Sequence, residues 1–129
     1  MIAHPEDDLQ MATADFCHAA LLSEVMFWHT PNGGRRDRRE AARLQRMGVL
    51  PGVADWTFIW PEQIAGLVFP VIGFIELKSE TGRLSAPQKM FAKKCDILGA
   101  KWAECRSLEG FVVTLKGWGV PMRGVQVAA

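Results

Sequence analysis

The sequence predicts an α/β domain, a mixed β-sheet flanked by helices, and three observations carry that expectation. Apolar residues recur at helical spacing in some stretches and form short continuous runs in others. The stretches alternate in the order helix, strand, helix, strand, strand, helix, strand, helix. Two strands between Asp55 and Lys78 follow each other like a hairpin, and a helix then leads to a further strand, so antiparallel and parallel neighbours are both expected. At 129 residues, 49% apolar and 22% charged, the chain fits one domain, residues 1–129, around one hydrophobic core.

The elements follow from local chemistry. Proline and acids at Pro5-Glu6-Asp7-Asp8 suit a helix start, and Leu9, Ala12, Phe16, Ala19 and Ala20 continue it from about Glu6 to Leu22. Val25 to His29 reads as a short strand, ended by Thr30-Pro31-Asn32-Gly33-Gly34. The second helix is expected from about Arg36 to Met47, with Ala41, Leu44 and Met47 inward and Gly48 closing it. Asp55 opens a strand through Trp60, Pro61 to Leu67 reads as a connection, and Phe69 or Val71 begins the strand ending at Lys78. Ser85 caps a helix with Pro87 in its first turn; that helix carries Phe91, Cys95 and Leu98 and stops at Gly99. Lys101 to Cys105 is a strand. Ser107 caps a last helix holding Phe111, Leu115 and Trp118, and the tail after about residue 120 is expected to be loosely structured.

Composition excludes several classes. Net charge is only +1, so bulk charge gives no sign of a nucleic-acid partner. Its distribution does: Arg35, Arg36, Arg38, Arg39, Arg43 and Arg46 cluster against only Asp37 and Glu40. Cys17, Cys95 and Cys105 form no close pair, which argues against a disulfide framework or a zinc site and for buried thiols. His4, His18 and His29 show no ligand spacing with them. The N-terminus is acidic and polar, unlike a signal peptide, and the longest apolar run, Ala65 to Ile75, is too short and too interrupted to span a membrane. The expectation is a cytoplasmic, intracellular protein with no membrane partner and no small organic cofactor.

The chemically loaded stretch is Gly73-Phe74-Ile75-Glu76-Leu77-Lys78-Ser79. Alternation along a strand puts Glu76 and Lys78 on one face, beyond Ile72 and Phe74. Acid and base at the end of a core strand are costly to bury unless paired or used. Asp55 supplies a second carboxylate just before another apolar run. Hydrolysis of a phosphodiester needs phosphoryl charge neutralised and a water made nucleophilic, and a divalent cation held by oxygen does both. Asp55, Glu76 and the Leu77 carbonyl are candidate ligands, and Lys78 is a candidate to orient the attacking water. Taken alone, the Glu76–Lys78 pair is more commonly a solvated strand end with a weak exposed ion pair, and Asp55 equally suits a turn cap.

Asp55 followed by Ile75-Glu76-Leu77-Lys78 resembles the motif of the PD-(D/E)XK nuclease superfamily. Further segments narrow it: His29-Thr30-Pro31-Asn32-Gly33-Gly34-Arg35, Met47-Gly48-Val49, Pro51-Gly52-Val53-Ala54-Asp55, Gly82-Arg83-Leu84-Ser85-Ala86-Pro87-Gln88 and Trp118-Gly119 all resemble stand-alone VRR-NUC domains of phages and bacteria. The resemblance runs from about Glu6 to Gly119. It implies a restriction-endonuclease-like core and a Mg²⁺- or Mn²⁺-dependent endodeoxyribonuclease, structure-selective for Holliday junctions or other branched DNA, acting as a homodimer. It also implies roles: Asp55 and Glu76 as metal-binding acids, Lys78 as the catalytic lysine, and Gln88 as a glutamine near the active site. Glu6 is the first-helix acid with Gln10 four residues on, Asp7 lying one residue off that register. Ala54 departs from the pattern, which often has proline there.

Around this site the remaining residues carry two readings each. The arginines, Arg35, Arg36, Arg38, Arg39 and Arg43 among them, suit phosphate oxygens, or form a solvated helix face paired with Asp37 and Glu40. Asn32 and Gly33 let a backbone approach DNA, or simply turn. His29 touches a phosphate or ends a strand with a hydrogen bond. The five tryptophans read as core, although an exposed Trp60 or Phe69 would point to a dimer interface. C₂ symmetry would supply the two cuts that resolving a junction needs. The alternatives are a non-catalytic DNA-binding module on a nuclease-like fold and a protein-interaction subunit without metal.

Overall fold

The computed structural model describes residues 5–31 and 37–124. The expectations for Asn32, Gly33, Arg35 and Arg36 lie outside the described residues. Among the described residues four helices and four strands occur in the expected order: α1 (Pro5–Ala20), β1 (Met26–His29), α2 (Arg38–Arg46), β2 (Trp56–Ile64), β3 (Leu67–Leu77), α3 (Ala86–Leu98), β4 (Lys101–Cys105) and α4 (Leu108–Trp118). The strands form one mixed sheet in the order β1-β2-β3-β4. β1 and β2, and β2 and β3, are antiparallel, whereas β3 and β4 run parallel, joined by α3.

Period-two alternation divides the sheet into two faces. Trp56, Phe58 and Trp60 of β2 and Ile75 and Leu77 of β3 share one face and pack with Cys17 of α1 and Phe111 and Leu115 of α4. Phe74 and Glu76 point to the opposite face, where Phe74 meets Phe91 of α3 edge-to-face at 5.0 Å. Trp60 is buried and stacks on Trp118 at 6.2 Å and 12°. The three cysteines are free and buried.

Several boundaries differ from the sequence expectation. Pro61 to Leu67 is not a connection: β2 runs on to Ile64, and a two-residue turn at Ala65 (φ 53°) and Gly66 (φ 79°) leads directly into β3. Pro61 pairs with Pro70. β1 stops opposite Ile59 and β4 begins opposite Gly73, so prolines in this stretch remove no bond to an outer strand. The inner stripe of α2 is incomplete. Ala41 and Leu44 are half-buried but Met47 is 70% exposed, because the described residues place nothing over that end. Leu98 is exposed at the end of α3. The tail is docked as far as Arg123: Val120 and Met122 are buried, Met122 bridges to Leu21, and the Arg123 N–H donates to the Ala20 carbonyl at 2.8 Å. Exposed apolar residues cluster at the tip of the β2–β3 hairpin, at Ile64, Leu67, Val68 and Phe69, so Phe69 is exposed and Trp60 is not. No helix among the described residues is long and apolar enough to cross a membrane.

Candidate active site

The β2–β3 register pairs Trp56 with Ile75. One step further along, Asp55 falls opposite Glu76, at the end where β3 leaves the sheet. An Asp55 oxygen, Oδ2, accepts from the Leu77 backbone N–H at 2.7 Å. The Asp55 carbonyl accepts from the Thr30 N–H at 2.8 Å and faces His29 Nδ1 at 2.9 Å. A carbonyl only accepts, so Nδ1 carries the proton and His29 is the hydrogen-bonded strand-end residue of the simpler reading. These bonds hold the Asp55 backbone from β1 and its side chain from β3.

Glu76 is held from α3. Ser85 is the N-cap of that helix: its Oγ accepts from the Gln88 N–H at 3.3 Å, and Gln88 Oε1 accepts from the Ser85 N–H at 2.8 Å. This capping box fixes the Gln88 side chain. Its remaining polar atom, Nε2, donates to Glu76 Oε1 at 2.8 Å. The helix cap is thereby tied to the central carboxylate. Gly52 makes the approach possible. Its φ is 80°, and a Cβ there would lie 2.3 Å from the Pro87 backbone, so the loop leading to Asp55 rests directly on the start of α3.

Lys78 Nζ lies 4.0 Å from Glu76 Oε1, with side-chain exposures of 15% and 5%. The pair is therefore not the solvated strand end that Glu76 and Lys78 alone suggest. The second oxygen of Glu76, Oε2, is buried without a hydrogen-bond partner among the described residues. Burial, reinforced by the Asp55 charge and opposed by Lys78, pushes the Glu76 pKa up to about 8. Burial also raises Asp55, against the Leu77 N–H, His29 and Lys78, while Glu6 raises it further.

Asp55, Glu76, Leu77, Lys78, Gln88 and His29 line one cleft of about 400 Å³, with Glu6, Asp7 and Gln10 entering from α1. Glu6 Oε1 faces the Ser79 N–H at 3.4 Å. Asp7 also borders the cleft, so helical register alone does not separate the two acids. Among the described residues, no group of three or more His, Cys, Asp or Glu side chains is arranged to hold a metal ion. Two carboxylates and a backbone carbonyl are nevertheless a suitable protein share for Mg²⁺, which keeps several waters. The buried Glu76 and half-buried Asp55 carboxylates, both resisting ionisation and one with an oxygen that no described residue partners, fit a hard cation.

The basic helix stands apart from this cleft. Arg38, Arg39 and Arg43 are exposed, and Arg39, Arg43 and Arg46 border a separate shallow depression beside Met47. Asp37 instead caps α2, accepting from the Glu40 N–H at 2.8 Å. Among the described residues no ion pair joins these arginines to Asp37 or Glu40. Trp28 is 43% exposed, unlike the buried Trp56 and Trp60.

The sequence reading missed Arg106, which reaches from the end of β4 to the segment following Lys78. Its partners are 26 and 27 residues away, and no local pattern signals such a contact. The capping box was open to discovery, because Ser85 and Gln88 stand at its spacing.

The fold is VRR-NUC-like: the chain is similar to a solved structure described as a VRR_NUC domain protein, with a TM-score of 0.66 and 17% sequence identity, covering 94% of this chain and 93% of that one. No protein-family model and no curated protein matches the sequence.

Proposed function

We propose that the protein is a Mg²⁺- or Mn²⁺-dependent endodeoxyribonuclease that hydrolyses phosphodiester bonds in branched DNA, Holliday junctions included. The observation carrying this reading is the Glu76 carboxylate: buried, oriented by Gln88, set beside Asp55, with one oxygen unpartnered and Lys78 4.0 Å from the other. A divalent cation, when bound, supplies charge neutralisation at the phosphate and lowers the pKa of water. Asp55, Glu76 and the Leu77 carbonyl would hold it, with Glu6 the candidate from α1.

Lys78 orients the attacking water and stabilises charge developing on the phosphoryl oxygens. The water gives up a proton to solvent as its oxygen bonds to phosphorus, the bond from phosphorus to the leaving deoxyribose oxygen breaks, and that oxygen takes up a proton from solvent. Gln88 keeps Glu76 facing the cleft throughout. Arg38, Arg39 and Arg43, with Arg35, Arg36, Asn32 and Gly33, bind phosphates and set position rather than sequence.

Homodimerisation belongs to this proposal. Ile64, Leu67, Val68 and Phe69 offer an exposed apolar hairpin, a feature that marks interaction surfaces, and two related sites provide two cuts. A cytoplasmic location is proposed with it. Incubation with junction, flap and linear DNA in Mg²⁺ or Mn²⁺, against EDTA, tests the activity. Metal-dependent cutting lost in Lys78→Ala with DNA binding retained supports it. DNA bound with a steep salt dependence but left intact would instead favour the non-catalytic binding module.

A further inference from the structure

Lys78 is the last residue that the sheet holds directly, its N–H donating to the Cys105 carbonyl at 3.0 Å. Beyond it the chain leaves β3 and turns, with the Gly82 N–H reaching the Ser79 carbonyl at 3.2 Å and the Ser79 Oγ at 3.1 Å. A side chain from the neighbouring strand closes over this turn. Arg106 Nη1 lies 2.5 Å from the Ser79 carbonyl oxygen and 3.3 Å from that of Glu80. The rest of the guanidinium is also engaged: Nε donates to Glu104 Oε1 at 2.9 Å, and Nη2 approaches the same oxygen at 2.6 Å. Glu104 is the register partner of Glu76 on β4.

Two elements thus hold the Ser79 backbone on the two sides of its Cα. Glu6 of α1 faces its N–H, and Arg106 takes its carbonyl. A planar fork with several fixed donors does this where a lysine ammonium does not reproduce the geometry. The carboxylate of Glu104 offsets the guanidinium charge, which leaves Arg106 poorly suited to a phosphate.

We infer that Arg106 is a positioning residue for the nuclease reaction: with Glu104 it clamps the Ser79–Glu80 backbone and so sets where the Lys78 ammonium stands beside Glu76. The inference rests on the proposed nuclease activity, and it adds a residue acting through another rather than on DNA.

The test uses the whole chain and measures single-turnover cleavage of junction DNA in Mg²⁺, DNA affinity across salt concentrations, and backbone amide exchange at residues 79–82. Arg106→Ala is expected to cut about 10- to 100-fold more slowly, the scale of loss that small misplacements of catalytic groups produce. Its DNA affinity and salt dependence stay as in the wild type, and the 79–82 amides exchange faster. Arg106→Lys retains the charge and is expected to remain slow, whereas a pure charge effect would be rescued. Weakened DNA binding with a salt slope reduced by about 1 would assign Arg106 to a phosphate and overturn the inference. So would an unchanged cleavage rate in Arg106→Ala. If the wild type leaves DNA intact, the nuclease reading fails, and unaltered exchange at 79–82 would separately remove the clamp.

Discussion

Replacing Glu76 with glutamine makes the metal-free protein more stable in alkaline solution. In the wild type the carboxyl is buried, one oxygen lacks a partner, and burial and the Asp55 charge move its pKa from 4.5 to about 8. The folded protein therefore holds this proton more tightly than the unfolded chain. Stability from the proton is complete below about 4.5 and is lost as pH rises through about 8. At about 1.4 kcal/mol per pH unit, the displacement sets a ceiling on the order of 5 kcal/mol. Relaxation and water entering the cleft bring the expected cost to about 1–3 kcal/mol. Glutamine carries no charge and still offers Gln88 Nε2 an acceptor. Thermal unfolding in EDTA is the assay. At about pH 8.5 Glu76→Gln should melt roughly 3–10 °C above the wild type, whereas at about pH 5 the two should melt close together. Adding Mn²⁺ at the higher pH should raise the wild type and leave the variant unmoved. Equal or lower melting of the variant at high pH, or a gap independent of pH, would refute the reasoning.

Other consequences follow from individual residues. Gly52→Ala brings a Cβ within 2.3 Å of the Pro87 backbone at a φ of 80°. It should destabilise the fold by about 1–3 kcal/mol in urea titration, and it should lower cleavage because Asp55 and Gln88 both depend on that close approach. Arg39→Ala with Arg43→Ala should weaken DNA binding uniformly across sequences. The slope of log affinity against log salt should fall by about 1 for each phosphate that is no longer neutralised, with the cleavage rate at saturating DNA unchanged. Leu67→Asp puts a charge on the exposed hairpin and should convert a dimer to a monomer in light scattering without lowering the melting temperature; a dimer that persists places the interface elsewhere.

The legible parts of the fold were those with local chemical causes. Lys101–Cys105 and the Ser85-capped helix emerge as expected, because a short apolar stretch after Gly99 and a cap residue act within a few positions. The hairpin was expected but its length was not, because Pro61 to Leu67 read as a connection, whereas Pro61 and Pro70 are tolerated in the strands since β1 and β4 do not extend that far. Its turn uses Ala65 at positive φ, where a residue with a Cβ gives no forewarning. The outward-facing Met47 and Leu98 show a related limit. Helical spacing defines a stripe, but whether anything covers its end depends on distant segments. Within the site, Asp55, Glu76 and Lys78 were legible as a set, since strand register carries the first opposite the second. Arg106 was not, because its role exists only once β4 lies beside β3.

The central claim is that Asp55 and Glu76 hold a divalent cation beside Lys78. The most direct measurement is an anomalous difference map from a crystal grown or soaked with Mn²⁺. The expected result is a peak bridging a carboxylate oxygen of Asp55 and Oε2 of Glu76, near the Leu77 carbonyl and absent in Glu76→Gln. A fully loaded crystal with no density there, or with manganese bound only elsewhere, would contradict the claim.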